Sequence, residues 1–521
     1  MTALTLMVVG TASSAGKSLL VTALCRLFKR RGWSVAPFKA QNMSLNSFVT
    51  PEGGEIGRAQ AAQAEAAGLP PSVLMNPILL KPTTNRKSQV IVRGLLEADL
   101  AAPDYYAVKD RWRPVVLESF QTLAKRHQAI IIEGAGSPAE INLLEGDFVN
   151  LGLAAEVGAP AILVGDIDRG GVFAALYGTV QLLPPREQSM IKGLVINKFR
   201  GEQAILEPGL RRMEELLGLP VLGVIPYEKF ALDEEDSLTD RLERPGLEAE
   251  IKLVVIRLPR LSNFTDFAVF DALAGVGLSY VDEPGYLEGA DLIIIPGSKN
   301  TLEDMLFLEK SGLAEAIRRA PQSGAVVMGL CAGFQMLGRM IHDPYGVESG
   351  LESVPGLGLL EVETVFAREK RTVQAAHRLR PAAGPLAETG GLTLAGYEIH
   401  MGETSLSPGQ HPLADDLADG RPTGAIRADG LIFGSYLHGF FDNLDFTRRF
   451  LNGLRRLRRG GQLSGGESPA GPATYQEIKE VEYERLADMV EASLPFEKIL
   501  AIMKAGGGTI NSRAKPPFHL A

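Results

Sequence analysis

The stretch Leu4-Thr-Leu-Met-Val-Val-Gly10-Thr-Ala-Ser-Ser-Ala-Gly16-Lys17-Ser18 decides how the chain begins to fold. Leu4–Val9 is a continuous apolar run, the mark of a parallel strand buried on both faces. A loop of small residues follows. Leu19, Leu20, Ala23, Leu24, Leu27 and Phe28 then recur at helical spacing, and Gly32 closes the helix. Strand, loop and helix in that order make a phosphate cradle. Glycines let backbone N–H groups converge on anionic oxygens, and the helix N-terminus adds its dipole. Gly16 serves the turn, Lys17 would reach the terminal phosphates and Ser18 would offer its hydroxyl to Mg²⁺. Five residues separate Gly10 from Gly16, one more than in GxxxxGK[ST], so Thr11 takes the usual first-glycine place.

Similar apolar runs recur at Val35–Phe38, Ala129–Glu133, Ala161–Val164, Leu194–Asn197 and Val221–Ile225, with helical patterns between them. That alternation predicts a doubly wound α/β domain, whose ligand crevice lies beyond the carboxyl ends of the strands. Glu133 ends the strongest run and opens EGAGSPAEINL, which makes it a candidate Mg²⁺ ligand. Asp166, in VGDIDRGG, is a second candidate of the same kind. Asn197 follows its strand closely enough to meet a bound nucleotide.

The 521 residues allow two to four domains at roughly 150 residues each. With 45% hydrophobic residues there is material for more than one core. A net charge of −9 argues against a nucleic-acid partner held by bulk charge. Two cysteines, Cys25 and Cys331, exclude a disulfide scaffold and fit a reducing compartment. The start MTALTLMVVG lacks the charged region of a secretory signal, and no apolar run approaches the ~18 residues that span a bilayer. The expected location is therefore cytoplasmic, with no membrane partner.

The charged stretch 233–250 contains Pro245 and Gly246 and reads as a linker between a domain at 1–232 and a second at 251–458. The second α/β series runs through Ile251–Ile256, Leu292–Ile295, Ala325–Leu330, Leu359–Val365, Leu392–Ile399 and Leu431–Tyr436. Residues 459–521 read as a flexible linker, GGQLSGGESPAGPA, and a helical tail over Tyr475–Met503. Within the second series Gly329-Leu-Cys331-Ala-Gly333 lies between a strand and a helix. Flanking glycines permit the sharp turn that exposes a nucleophile, and the helix N-terminus favours its thiolate. His438, in GSYLHGFFDN, ends another strand and is the candidate base. Cys25 lies on the apolar side of the first helix and reads as inert packing.

GTASSAGKS and EGAG resemble the dethiobiotin-synthetase-like branch of P-loop enzymes, which activate carboxylates with ATP. KAQNMSLNS at Lys39–Ser47, EIGRAQAAQAEAAG at Glu55–Gly68 and NPILLKPTTNRKSQVIVRG at Asn76–Gly94 narrow this. They resemble the cobyric acid synthase family, glutamine-dependent amidases of cobalamin biosynthesis. The second half resembles a class I glutamine amidotransferase domain. This resemblance implies ATP and Mg²⁺, glutamine as nitrogen donor and a small-molecule corrinoid substrate amidated at its b, d, e and g carboxylates. It also implies that the turn Ile295-Pro-Gly297-Ser298 forms the oxyanion site.

Gln41, Asn42, Ser44 and Asn46 are uncharged hydrogen-bonding groups suited to a large polar substrate. Gln60 and Gln63 read equally as part of such a site or as a solvated helix face. His400, in GYEIHMGET, reads equally as a substrate-side group or as packing. The glutamate that normally follows the amidotransferase histidine by two positions is Phe440 here, so the third member is either missing or supplied from elsewhere in the chain, and the assignment is a Cys331–His438 dyad. Asn85 and Arg86 occupy a turn expected to be more acidic or neutral in relatives. Cobyrinic acid a,c-diamide synthase shares the two-part plan but is expected to be acidic where this chain has QNMSLNS. A P-loop ATPase switch with a non-catalytic second domain is the alternative of another class, and Cys331 with His438 argues against it.

Overall fold

The computed structural model describes residues 3–83, 87–232, 249–458 and 472–506. Asn85, Arg86 and nearly all of both expected linkers lie outside the described residues.

The six apolar runs of the first half form one parallel sheet. Its order is Val221–Pro226, Ile191–Phe199, Ala161–Asp166, Leu4–Gly10, Ala129–Glu133, Val35–Phe38. Strand Leu4–Gly10 lies between Ala129–Glu133 and Ala161–Asp166, with Val8 level with Glu133 and Gly10 level with Val164. The chain leaves this strand toward one edge and later returns to its other side. The topological switch, where ligands bind in such sheets, therefore falls at the quoted loop. Successive side chains point to opposite faces, so Leu6 and Val8 enter one core and Met7 and Val9 the other.

The Leu6/Val8 face is covered by helix Lys17–Arg30 and by the C-terminal helices Tyr475–Ser493 and Phe496–Ala505. Tyr483, Leu486, Val490, Phe496 and Ile499 are buried there. At the rim Arg26 meets Glu480 and Glu484, Arg30 meets Asp488 and Glu491, and Lys479 and Tyr483 share Glu65. The tail thus belongs to the core of the first sheet. Pro495, which breaks the single expected helix, precedes Phe496.

The second half has a sheet ordered Val276–Val281, Ile251–Ile256, Leu292–Ile295, Val326–Leu330, Ile432–Ser435, Ala425–Ile426, parallel except for the last pair. The expected placement of Leu359–Val365 and Leu392–Ile399 in this series is corrected. Their residues from Val362 and from Thr393 onward belong to the long strands Val362–Leu379 and Thr393–Leu406, which pair antiparallel in a separate sheet. Half-exposed alternation along Val362–Leu379, rather than an unbroken apolar run, is the local sign of that difference.

The long hairpin reaches the first half. Tyr397 donates its hydroxyl to Ser47 O at 2.9 Å, and Lys370 pairs with Glu55. Two further bonds join the halves near residue 263. Ser47 N–H donates to Asn263 Oδ1 and Phe264 N–H donates to Asn46 Oδ1, each at 3.0 Å.

Candidate active sites

In the first half, Gly16 has φ +89° and a Cβ there would lie 2.1 Å from Asn197 Nδ2. Only glycine fits both the left-handed turn and the close approach. Asn197 in turn donates to Ala15 O at 2.9 Å, so it props the loop from beneath. Lys198 donates to Ser14 O at 2.8 Å and pairs with Asp166 at 3.0 Å. Thr11 continues the sheet through its N–H to Val164 O at 2.9 Å, which leaves its hydroxyl as the group available to a ligand. Lys17 Nζ donates to the carbonyls of Ala12 at 2.8 Å, Ser13 at 3.2 Å and Gly136 at 3.0 Å. It bridges the loops that follow the neighbouring strands Leu4–Gly10 and Ala129–Glu133.

Glu133 is the hub of this site. Its Oε1 accepts from Ser18 Oγ at 2.9 Å and Lys39 Nζ at 2.7 Å, and its Oε2 accepts from Gln63 Nε2 at 2.5 Å. Burial alone would raise its pKa, but Lys39, Gln63 and Lys17 outweigh that and hold it below the usual carboxylate range. Gln63 is therefore packed against Glu133 and not on a solvated face, and Gln60 is likewise turned inward, accepting from Asn42 Nδ2 at 3.0 Å. Both glutamines are fully buried. Their i, i+3 spacing in an alanine-rich helix was the signal, and the small side chains let this helix pack tightly enough to bury them. Gln41 accepts from Tyr105 OH, and Ser44 accepts from Asn46 N–H at 3.0 Å. Met43, between two buried residues, is 60% exposed.

In the second half, the carboxyl ends of four adjacent parallel strands converge. Strand Val326–Leu330 delivers Cys331, whose φ of +53° and ψ of −110° put a non-glycine residue in a strained turn. The flanking glycines make this possible. A Cβ on Gly333 would stand 1.8 Å from Ile295 O, and one on Gly329 2.4 Å from Gly333 O. Strand Ile432–Ser435 delivers His438 to the cavity that Cys331 lines, where the Cys331 thiol donates to Ile399 O at 3.6 Å. The segment after Leu292–Ile295 brings Ser298 to the lining of the same cavity, and a Cβ on the preceding Gly297 would lie 3.8 Å from His438 Cε1. Ser298 Oγ is already engaged, donating to Asp304 Oδ2 at 2.6 Å. Any oxyanion role there falls to backbone N–H groups.

The segment after Ile251–Ile256 places an acid beside His438. Asp266 Oδ2 lies 2.7 Å from His438 Nδ1, and its Oδ1 accepts Gly439 N–H at 3.0 Å. A carboxylate can only accept, so Nδ1 carries the proton and Nε2 is the basic atom. Burial lowers the imidazole pKa, but Asp266 and Cys331 outweigh it and raise the value to about 10. Sequence reasoning missed Asp266 because it lies 172 positions from His438. Phe440, where the acid was sought, is buried in a cluster of aromatic rings with Phe441 and Phe446. Tyr397 stacks on His438 at 5.1 Å, and Asn263 Nδ2 lies 3.4 Å from both ring nitrogens. His400 lines the cavity too, stacked on Tyr436 at 3.8 Å. Cys25 is fully buried and burial pushes its thiol pKa up, as inert packing requires.

A strained cysteine with a histidine and a carboxylate, in one chain with a phosphate loop, defines an amidotransferase joined to a nucleotide-binding unit. Residues 252–446 match the family of CobB/CobQ-like glutamine amidotransferase domains, and residues 6–238 match the CobQ/CobB/MinD/ParA nucleotide binding domain. The chain is 48% identical over 509 residues to a cobyric acid synthase of Caldanaerobacter subterraneus, covering 96% of this chain and 99% of that one. It is 47% identical to those of Lachnoclostridium phytofermentans and Klebsiella pneumoniae, covering 96% of this chain and 99% and 98% of theirs. The chain belongs to the cobyric acid synthase family, glutamine-hydrolysing ligases of cobalamin biosynthesis. Among the described residues no helix is long and apolar enough to cross a membrane.

Proposed function

We propose that this enzyme amidates the b, d, e and g carboxylates of adenosylcobyrinic acid a,c-diamide, giving adenosylcobyric acid. ATP would activate each carboxylate and glutamine would supply the nitrogen. The observation that carries the reading is the joining of the two half-sites. Asn46 and Ser47, in the segment assigned to the corrinoid, hydrogen-bond to Phe264 and Asn263, beside the histidine that faces Cys331.

In the glutaminase half, His438 Nε2 holds the Cys331 proton, as its raised pKa implies, while Sγ attacks the side-chain amide carbon of glutamine. The oxyanion is met by backbone N–H groups of the Gly297–Ser298 turn. The imidazolium, held by Asp266, returns its proton to the leaving nitrogen and ammonia departs. Water then cleaves the thioester and frees glutamate.

In the synthetase half, residues 1–232, a substrate carboxylate oxygen attacks the γ-phosphorus of ATP and ADP leaves, forming an acyl phosphate. Lys17 and the loop N–H groups offset the charge on the transferred group. Ammonia attacks the acyl carbon and phosphate departs. Ser18 and Glu133 present hydroxyl and carboxylate oxygens 2.9 Å apart, a donor pair suited to a hard cation that also binds phosphate. Mg²⁺ held by them would neutralise phosphate charge. Gln41, Asn42 and Ser44 would face the corrinoid, with exposed Met43 offering an apolar contact to the macrocycle.

Mass spectrometry of corrinoid products made with ATP and glutamine tests the reading by counting amide gains. Four gains on the a,c-diamide are expected. Gains confined to the a and c positions of cobyrinic acid would favour the diamide synthase reading. ATP turnover with no amidation would favour an ATPase switch.

A further inference from the structure

The cavity holding the Cys331 thiol extends to a group of charges that the amide chemistry does not use. Lys299, Glu348, Lys81 and Lys370 line it, together with Thr301 and Gln335. Lys81 and Lys370 already share a carboxylate, Glu55, with Lys81 Nζ at 2.5 Å. Lys299 and Glu348 are differently placed. Glu348 is fixed by the start of helix Thr301–Lys310, where its Oε2 accepts Thr301 N–H at 2.8 Å. Its own N–H donates to Asp343 Oδ2 at 2.9 Å, which anchors the backbone beneath it. Lys299 lies two residues before the same helix.

Resting on the glutaminase reading above, we propose that Glu348 and Lys299 recognise the α-ammonium and α-carboxylate of glutamine, aligning its amide with Cys331. The lining then offers a carboxylate and an ammonium for the two ends of one zwitterion, in the same cavity as the thiol. The energetics favour such a ligand. Burial, aided by Lys370 and Lys81, lowers the Lys299 pKa to about 7. Burial raises that of Glu348 to about 7 against the pull of Thr301 N–H and Lys299. Each charge is disfavoured where it stands, and a ligand bringing the opposite charge relieves it. The cavity as it stands has about 30 Å³ of free volume, less than an amino acid needs. The long stems of Lys299 and Lys370 must therefore swing aside as glutamine enters. Lys81 belongs to the first half of the chain, so the synthetase half forms part of this lining.

The test uses the full-length enzyme and glutamate or glutarate release from two substrates, glutamine and 4-carbamoylbutanoate, which lacks the α-ammonium. Wild type should prefer glutamine in kcat/KM, and Glu348→Gln should collapse that preference by about 10–100-fold, the worth of a charge-assisted pair. An unchanged preference overturns the proposal. Lys299→Met with glutamine α-amide, which lacks the carboxylate, gives the reciprocal readout. Its preference for glutamine over the α-amide should fall by a similar factor, and a retained preference overturns the Lys299 assignment. Ammonia-dependent amidation monitors folding in both variants. If Cys331→Ala still releases glutamate from glutamine, the glutaminase reading itself has failed rather than this subsite.

Discussion

Replacing Asp266 with asparagine is the sharpest perturbation of the glutaminase site, because the change is nearly isosteric. In Asp266→Asn the new side chain can keep Gly439 N–H on its carbonyl oxygen, the bond now made at 3.0 Å. Its NH₂ group then faces His438 Nδ1, where a carboxylate oxygen now lies at 2.7 Å. A donor in that place forces Nδ1 to accept, so the proton moves to Nε2 and the atom facing Cys331 is no longer basic. The imidazolium also loses its counter-charge in a buried site. Glutamine-dependent kcat should fall by about 10³–10⁴-fold, on the order of 4–5.5 kcal/mol of barrier. The His438 pKa, now raised to about 10, should fall, so the alkaline limb of the glutaminase profile should move to lower pH. The assay is glutamate release against pH, with ammonia-dependent amidation as control. A fall of less than about tenfold, with an unmoved alkaline limb, would show that His438 works without this acid.

The other expectations follow from the same geometry. Cys331→Ala should abolish glutamine-dependent amidation and spare the ammonia-dependent reaction, whereas Lys17→Ala should remove amidation from both nitrogen sources; product mass spectra distinguish them. Basal glutamate release should be low and rise with corrinoid and MgATP, since a cavity of about 30 Å³ must open and Lys81 of the other half lines it; an equal rate without them refutes this coupling. Burial would raise the Glu55 pKa, but Lys370, Lys81 and Lys299 hold it well below the usual range, so its stabilising contribution is present above pH ~4.3 and lost as pH falls toward the folded value. Acid titration of the wild type and of Glu55→Gln, followed by tryptophan fluorescence and melting, should show a shallower acid loss in the variant. Truncation after residue 458 strips Tyr483, Leu486, Val490, Phe496 and Ile499 from the first core, each worth about 1.5–3 kcal/mol of burial, so the melting temperature should drop sharply. An unchanged melt would mean that the tail is an appendage.

The sequence by itself determined the elements whose signal is local. All six strands of the first sheet were legible, because strands buried on both faces are unbroken apolar runs between turn residues. The tight turns at Gly16 and around Cys331 were legible because glycine at fixed offsets is demanded by backbone geometry, here φ +89° at Gly16 and the closeness of Gly333 to Ile295 O. Tertiary structure alone decided whatever depends on which distant segments meet. Asp266 reaches His438 because the strands that precede them, though separated by two others, run parallel in one sheet and end on the same side, a convergence that no spacing along the chain encodes. Gln60 and Gln63 are buried because a helix of small residues packs close to Glu133, whereas the same polar pattern on another helix would face water. The long hairpin left the parallel series because its two strands pair antiparallel with each other in a separate sheet, and the tail joined the first core because an apolar face on helix Lys17–Arg30 needed covering. Periodicity identifies an apolar face, but what covers it is settled by the packing of the whole chain.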